Sequence, residues 1–351
     1  MRKATYPIGG KKLFLVLITL FLSLIILSGC GDQNEQSADN NENSNNTAHT
    51  EPEAETEENE DGENEETAQE TREITHAMGT TTIEGTPERI VTLYQGATDA
   101  AVAFGVKPVG VVESWVQQPV YDYLEDELEG AEILGDENQP NIEEIAALNP
   151  DLIIASKMRH EEIYDQLSEI APTVTHESVF EFKETVELMG EAMNMDEDAG
   201  RLLSEWDARV ADFQTKIEEE LGDEWPLNVS ILNFRADHAR IYFTGFAGSI
   251  LNELGFSRPE NQQSEEWGVM LTDKESIPDM NAEVFYIFNE EDEAVERTFE
   301  EWTSHPLWQN LDAVQNDQVY MVDEVTWNMA GGIIAANMML DDIYDRFDIE
   351  K

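Results

Sequence analysis

The chain has 351 residues, with 76 acidic against 20 basic side chains and a formal net charge of −56. So negative a surface repels nucleic acid and anionic lipid headgroups, and we expect neither to be a partner. Cys30 is the only cysteine, which excludes a disulfide scaffold and a thiolate metal site. Stability must therefore come from an apolar core, and the chain is long enough for two domains of medium size.

The first 29 residues have the pattern of a secretory signal. A basic start precedes an uncharged apolar run at residues 13–27, and Leu27-Ser28-Gly29-Cys30 follows it. The run is shorter than the about 20 residues that a spanning helix needs. The junction resembles the bacterial lipobox, which predicts cleavage before Cys30, lipidation of its thiol and anchoring on the outer face of a cell membrane, with a Gram-positive cell expected. A plain secreted protein and a signal anchor remain as alternatives.

Residues 30–72 are predicted to form a disordered acidic tether. Residues 31–72 hold 15 Asp or Glu against one basic residue, and no aromatic or β-branched aliphatic residue. Such a composition cannot bury enough apolar surface to offset the entropy lost on ordering. We therefore expect the tether to hold the folded part clear of the membrane.

Residues 73–178 alternate short apolar runs with helical patterns of about ten residues, which indicates a parallel sheet covered on both faces. The predicted strands of this first α/β lobe are 90–94, 109–112 and 152–155, and its predicted helices are 142–148 and 161–170.

A helical connector is predicted at residues 179–225, and a second α/β lobe at 226–351. Within the connector, an apolar repeat predicts a helix over 196–220, roughly 37 Å long at 1.5 Å per residue. Two Rossmann-like α/β lobes joined by one long rigid helix leave a cleft, where ligand sites tend to form. The predicted strands of the second lobe are 229–232, 241–243, 284–288 and 319–322, and its predicted helices are 248–254 and 330–347.

Motifs across both lobes resemble those of the iron-siderophore substrate-binding proteins of ABC importers, the class whose lobes are joined by a single helix. Asn233 to Gly248 and Ser156 to Arg159 look most like the Gram-positive branch that imports ferric hydroxamates, including citrate-based dihydroxamates of the schizokinen type. The matching stretches are 87–91, 93–99, 105–110, 140–145, 148–154, 233–240, 244–248 and 275–278.

The resemblance implies a monomeric, lipid-anchored receptor that captures a ferric siderophore and delivers it to permease subunits driven by a cytoplasmic ATPase. It implies no catalysis, no cofactor and no iron ligand from the protein, because the siderophore holds the metal. It also implies that one glutamate on each lobe docks into the permease. Sequence context places these at Glu143 and Glu275, although solvated surface acids are common in this chain.

Basic residues at strand ends are the first candidates for ligand contacts. Lys157 and Arg159 follow the strand at 152–155, and Arg235 follows the strand at 229–232, with His238 and Arg240 nearby. Open α/β sheets present ligand-binding loops at the carboxyl ends of their strands, and the planar fork of arginine suits carboxylate or hydroxamate oxygens. Ordinary surface ion pairs are the alternative for each.

Aromatic residues in loops are the second candidates, since flat rings match the apolar faces of a chelate. Trp267 stands in a polar loop, Trp327 follows the strand at 319–322, and Tyr94 with Gln95 ends the first strand of the first lobe. Trp115 is expected at the same mouth. Local packing is the alternative for these side chains, and core packing is expected for Trp206, Trp225, Trp302 and Trp308.

Three other functions are alternatives to siderophore binding. A hydrolase is not supported, because no nucleophile elbow, phosphate-binding loop or His-Glu-x-x-His motif occurs. A zinc or manganese receptor needs clustered ligands, whereas the histidines after residue 72 are scattered. A haem or cobalamin receptor of the same architecture stays open, because His238 or a methionine could serve as an axial ligand.

Overall fold

Two five-stranded sheets, one on each side of a pair of helices, form the framework of the computed structural model, which describes residues 71–290 and 292–351. The signal, Cys30 and the tether up to residue 70 lie outside the described residues. The first described residue, Thr71, begins strand β1, two residues before the predicted start of the first lobe. Among the described residues, no helix is both long enough and apolar enough to cross a bilayer.

In the first lobe, the sheet runs in the order β5-β4-β3-β8-β9 and its strands pair in parallel, as the sequence predicts. The predicted strand at 90–94 is shorter in the structure, because Tyr94 lies at the amino end of the next helix. The strands and helices of this lobe are β1 Thr71–His76, β2 Gly79–Glu84, β3 Ile90–Thr92, α1 Gln95–Ala103, β4 Gly110–Val111, β5 Glu132–Ile133, β6 Gly135–Asp136, β7 Gln139–Pro140, α2 Ile142–Ala147, β8 Leu152–Ser156, α3 Lys157–His160, α4 Tyr164–Ile170 and β9 Thr173–His176.

The connector consists of α5 (Phe182–Met193) and α6 (Asp196–Leu221). The helix α6 has 26 residues, which agrees with the prediction of a long helix over 196–220. Its buried side chains recur with helical spacing, so the helix packs along one apolar face. These side chains are Ala199, Trp206, Val210, Phe213 and Ile217.

The second lobe contains a mixed sheet in the order β12-β11-β10-β13-β14, in which β10, β13 and β14 are parallel and β11 pairs antiparallel with both β10 and β12. A π-helical turn at Val325–Met329 precedes the last helix. The strands and helices are β10 Val229–Phe234, β11 Ala239–Tyr242, α7 Gly245–Glu253, β12 Gly268–Leu271, β13 Val284–Ile287, α8 Glu293–Thr303, α9 Asp312–Gln315, β14 Val319–Met321 and α10 Ile333–Arg346.

The last helix, α10, connects the two lobes a second time. The sequence pattern places it in the second lobe, but its first turn lies against α1 of the first lobe. The backbone N–H groups of Ile334 and Ala335 donate to the Asp99 carboxylate at 2.8 and 3.0 Å. Gly332 permits this approach, because a Cβ at that position would lie 2.2 Å from the Asp99 carboxyl carbon.

Further along α10, Tyr344 donates to Asp212 of α6 at 2.7 Å. A single cluster of buried apolar residues accordingly extends from Ile90 and Ile154 of the first sheet, through Trp206 of α6, to Ile231 of the second sheet.

Candidate functional site

A cavity of about 290 Å³ lies between the two lobes, with both contributing to its wall. Loops at the carboxyl ends of parallel strands supply most of this wall, as expected for open α/β sheets. We refer to it as the interlobe cavity. It is lined by Gln95, Gly96, Trp115, Glu137, Arg159, Val179, Phe180, Arg235, Tyr242, Asn328, Met329, Ala330 and Gly331.

Arg159 is the cation that the first lobe presents to the interlobe cavity. Its Nε donates to Glu137 Oε1 at 3.0 Å, and its side chain is 28% exposed whereas that of Glu137 is 3% exposed. The guanidinium also lies 5.8 Å from the ring centroid of Trp115. Glu137 engages only Nε, and the two terminal nitrogens of Arg159 make no hydrogen bond to another described residue.

Glu137 is itself held firmly. Its Oε2 accepts from the backbone N–H of Gln95 at 3.2 Å, and its backbone carbonyl accepts from His160 Nε2 at 2.8 Å. Since His160 Nδ1 accepts from the backbone N–H of Ser156, its imidazole is neutral, and burial lowers its pKa. Burial raises the pKa of Glu137, and the attraction of Arg159 opposes that rise. The arrangement therefore fixes the direction of the Arg159 fork.

Arg235 is the corresponding cation from the second lobe. Its Nη1 donates to Glu290 Oε2 at 2.8 Å, its Nη2 lies 3.6 Å from Glu324 Oε1, and its side chain is 21% exposed. Its Nε is buried without a hydrogen-bond partner. Burial raises the pKa of Glu324, although the Arg235 charge acts in the opposite direction. The group is thus a half-buried guanidinium with unused hydrogen-bonding capacity.

Trp267 lies at the edge of this region and is 47% exposed. Its ring is 5.7 Å from Tyr242, which lines the cavity, and the guanidinium of Arg240 lies 5.9 Å from the Trp267 centroid. Arg240 Nε donates to His238 Nε2 at 3.0 Å, and His238 Nδ1 donates to Asp237 at 2.6 Å. Neither Arg240 nor His238 lines the cavity, so the structure does not present His238 there as an axial ligand.

Three further residues that were predicted to contact the ligand do not line the interlobe cavity. Tyr94 is fully buried, with its hydroxyl 3.1 Å from Thr185 Oγ1, and burial raises its pKa. Trp327 is also fully buried, and its indole N–H donates to Asp342 at 2.9 Å. Lys157 turns away from the cavity and pairs with Glu177 at 2.9 Å.

Several residues that line the interlobe cavity are not among the ligand contacts predicted from the sequence. Glu137 lies in a short acidic turn that looks like any other in this chain, and Phe180 precedes α5 without a motif. Asn328 follows Trp327 directly, so the predicted loop reaches the cavity through a different side chain. The side-chain amide of Asn328, which is half-buried, makes no hydrogen bond to another described residue.

Glu143 and Glu275 occupy equivalent places on the two lobes. Each is exposed in the first turn of a helix, α2 for Glu143 and the 3-10 helix Lys274–Met280 for Glu275. The backbone N–H of Glu143 donates to Asn141 Oδ1 at 3.1 Å, and that of Glu275 donates to Asp273 Oδ1 at 2.9 Å. Both carboxylates thus extend from a capped helix start into solvent.

A metal site is not formed by the protein in the part of the chain that the structure describes, where no group of three or more His, Cys, Asp or Glu could hold an ion.

Two α/β lobes around a solvent-open cavity with one cation on each side define a two-lobe solute-binding protein.

The sequence of this chain matches the periplasmic binding protein family over residues 90–326, and the chain belongs to that family. Among curated proteins, it is 45% identical over 260 residues to the achromobactin-binding periplasmic protein of Dickeya dadantii, covering 73% of this chain and 85% of that protein. It is 44% identical to the "Probable siderophore-binding lipoprotein YfiY" of Bacillus subtilis, covering 80% of this chain and 89% of YfiY.

Among solved structures, that of Staphylococcus aureus SirA complexed with staphyloferrin B is similar to this one. The TM-score is 0.77 and the identity 50%, covering 80% of this chain and 99% of SirA. The family and these relatives are binding proteins, which confirms the predicted two-lobe α/β fold and the prediction that the chain is not an enzyme and needs no enzymatic cofactor.

Proposed function

We propose that the protein captures an anionic ferric siderophore in the interlobe cavity and delivers it to an ABC importer. The observation that carries this proposal is the pair of half-buried guanidinium groups, Arg159 and Arg235, that face one cavity from opposite lobes. The relatives that bind achromobactin and staphyloferrin B support the ligand class.

The chemistry of the cavity favours a chelate with carboxylate or hydroxamate oxygens on its outer surface. A guanidinium binds such oxygens through a planar fork, and a charge-assisted hydrogen bond of this kind contributes about 1.5–3 kcal/mol. Trp115, Phe180 and Tyr242 provide flat apolar walls for the rest of the chelate. A ligand bound to both cations stabilises the approach of the two lobes, while the iron keeps its siderophore ligands.

Titration of the protein's tryptophan fluorescence tests the ligand class. Ferric achromobactin, staphyloferrin B, schizokinen and citrate, with ferrioxamine for comparison, form a panel of differing charge. We expect the anionic chelates to bind most tightly. Arg159→Ala and Arg235→Ala should each weaken that binding about 10- to 100-fold, from the energy of one charged hydrogen bond.

Arg297→Ala is the matched control, since Arg297 forms an exposed pair on α8. Binding of none of the chelates, or unchanged affinity in both cavity variants, would refute the proposal.

Docking to the permease is assigned to Glu143 and Glu275. Their equivalent exposed positions on the two lobes support this role. The double reversal Glu143→Arg with Glu275→Arg should abolish uptake of radioactive iron by cells and leave the affinity for the chelate intact. A double reversal at exposed Glu125 and Glu260 is the control. Normal uptake by the first double variant would remove the assignment.

Anchoring is assigned to Cys30, which carries acyl chains and holds the monomeric receptor on the outer face of the membrane. Cys30→Ala should release the protein into the culture medium, and mass spectrometry of the wild-type amino terminus should find the lipid mass. Retention of the variant in the membrane fraction would refute lipidation as the anchor.

A further inference from the structure

An apolar side pocket of about 70 Å³ adjoins the interlobe cavity within the second lobe. We define it by Ile231, Phe246, Ala247, Trp267 and Phe288. Phe180, Tyr242 and Asn328 line both spaces, so the side pocket opens onto the cavity that holds Arg159 and Arg235.

The side pocket is a built feature of the core. Ile231, Phe246, Ala247 and Phe288 are 0–5% exposed, and Tyr242 packs its ring 5.5 Å from Phe288 and 5.7 Å from Trp267. None of the described residues that line it is charged, in a chain with 76 acidic side chains. An apolar group that enters this space would gain van der Waals contacts with these side chains.

The size of the side pocket limits its occupant. A cavity needs about 10–15 Å³ to hold one water molecule. The side pocket, at about 70 Å³, therefore has room for about five groups the size of a water molecule. At its mouth, the unbonded amide of Asn328 faces both spaces. A ligand with a carbonyl beside Asn328 would bond to the amide, and an alkyl chain on that carbonyl would fill the apolar space.

We propose that the side pocket receives a short acyl arm of the siderophore, with its carbonyl at Asn328 and a chain of about three to five carbons among the aromatic side chains. This inference rests on the proposed function and narrows its ligand class to anionic ferric chelates that carry an aliphatic acyl group. A chelate without such an arm leaves the side pocket empty and binds through its anionic oxygens alone.

The test is a series of synthetic ferric citrate-based dihydroxamates whose acyl chain grows from formyl to octanoyl. The affinity of the wild-type protein, measured by tryptophan quenching, should rise about fourfold for each added methylene until the pocket is full, and fall for longer chains. Equal affinity across the series would refute the acyl arm alone. Failure of every member to bind would refute the acyl arm, and failure of ferric staphyloferrin B to bind as well would refute the proposed function.

Two variants assign the effect to the side pocket. Ala247→Leu fills the space and should remove the dependence of affinity on chain length. Phe288→Leu enlarges it and should move the optimum to a chain at least one carbon longer. Ala146→Leu, on the exposed side of α2, is the matched control. Thermal melting verifies folding, and wild-type chain-length profiles in both folded variants would overturn the proposal.

Discussion

The variant Arg159→Ala tests two roles of Arg159, the stabilisation of the buried Glu137 carboxylate and the contact with the ligand. In the wild-type protein, its Nε neutralises Glu137, whose side chain is only 3% exposed. The variant leaves that carboxylate in the interior with the backbone N–H of Gln95 but without a cation. Such an uncompensated charge destabilises the folded state.

The expected loss of stability is about 2 kcal/mol. Removing one partner of a fully buried ion pair costs about 3–5 kcal/mol, and the 28% exposure of Arg159 reduces that figure. For a protein of this size, the midpoint of thermal unfolding should fall by about 5 °C. Adding Glu137→Gln removes the buried charge, so the double variant should regain most of the stability and still bind the chelate weakly.

The pH dependence provides an independent check. Burial already raises the pKa of Glu137, and removal of Arg159 raises it further. Below the ordinary carboxyl pKa, the folded and unfolded chains both hold the proton. As the pH rises, the unfolded chain releases its proton first, so the stability of the variant falls.

Urea unfolding at pH 4 and pH 8 should therefore find a larger deficit for Arg159→Ala at pH 8, relative to wild type. An equal deficit at both values, or full recovery of binding in the double variant, would refute this reasoning.

Trp327→Phe should lower the unfolding free energy by about 1–3 kcal/mol, because Asp342 loses a buried donor, while chelate affinity stays within twofold; a large loss of affinity in a folded variant would show instead that Trp327 contacts the chelate. Lys157→Ala should leave affinity within twofold, since Lys157 pairs with exposed Glu177, and fluorescence titration checks this. Burial raises the pKa of Asp99 to about 6 from 3.8, so wild-type stability should fall between these values as pH rises. Asp99→Asn should flatten that slope in urea unfolding, and an unchanged slope would contradict it.

The sequence was sufficient to predict the fold because its signals are local and repeated. Apolar runs such as residues 152–155 become buried strands, and the spacing of Trp206, Val210 and Phe213 becomes the buried face of α6. The position of Arg159 and Arg235 after parallel strands was enough to bring them to the interlobe cavity. Their contact with ligand stays a prediction.

The side chains of the cavity were harder to predict, because direction depends on packing partners distant in sequence. Trp327 and Asn328 are neighbours in one π-helical turn, yet the indole turns inward to Asp342 and the amide turns to the cavity. Glu137 gains its role only through Arg159, 22 residues later in the chain. Such pairings leave no periodic trace in the sequence.

The apolar cluster that runs from the first sheet through α6 to the second sheet has a consequence for how the protein unfolds. The two lobes share this part of their interior, and α10 contacts both Asp99 of α1 and Asp212 of α6. Calorimetry should therefore record a single unfolding transition for both lobes. Deletion of α10 from the carboxyl end of the chain should destabilise both lobes, not the second alone.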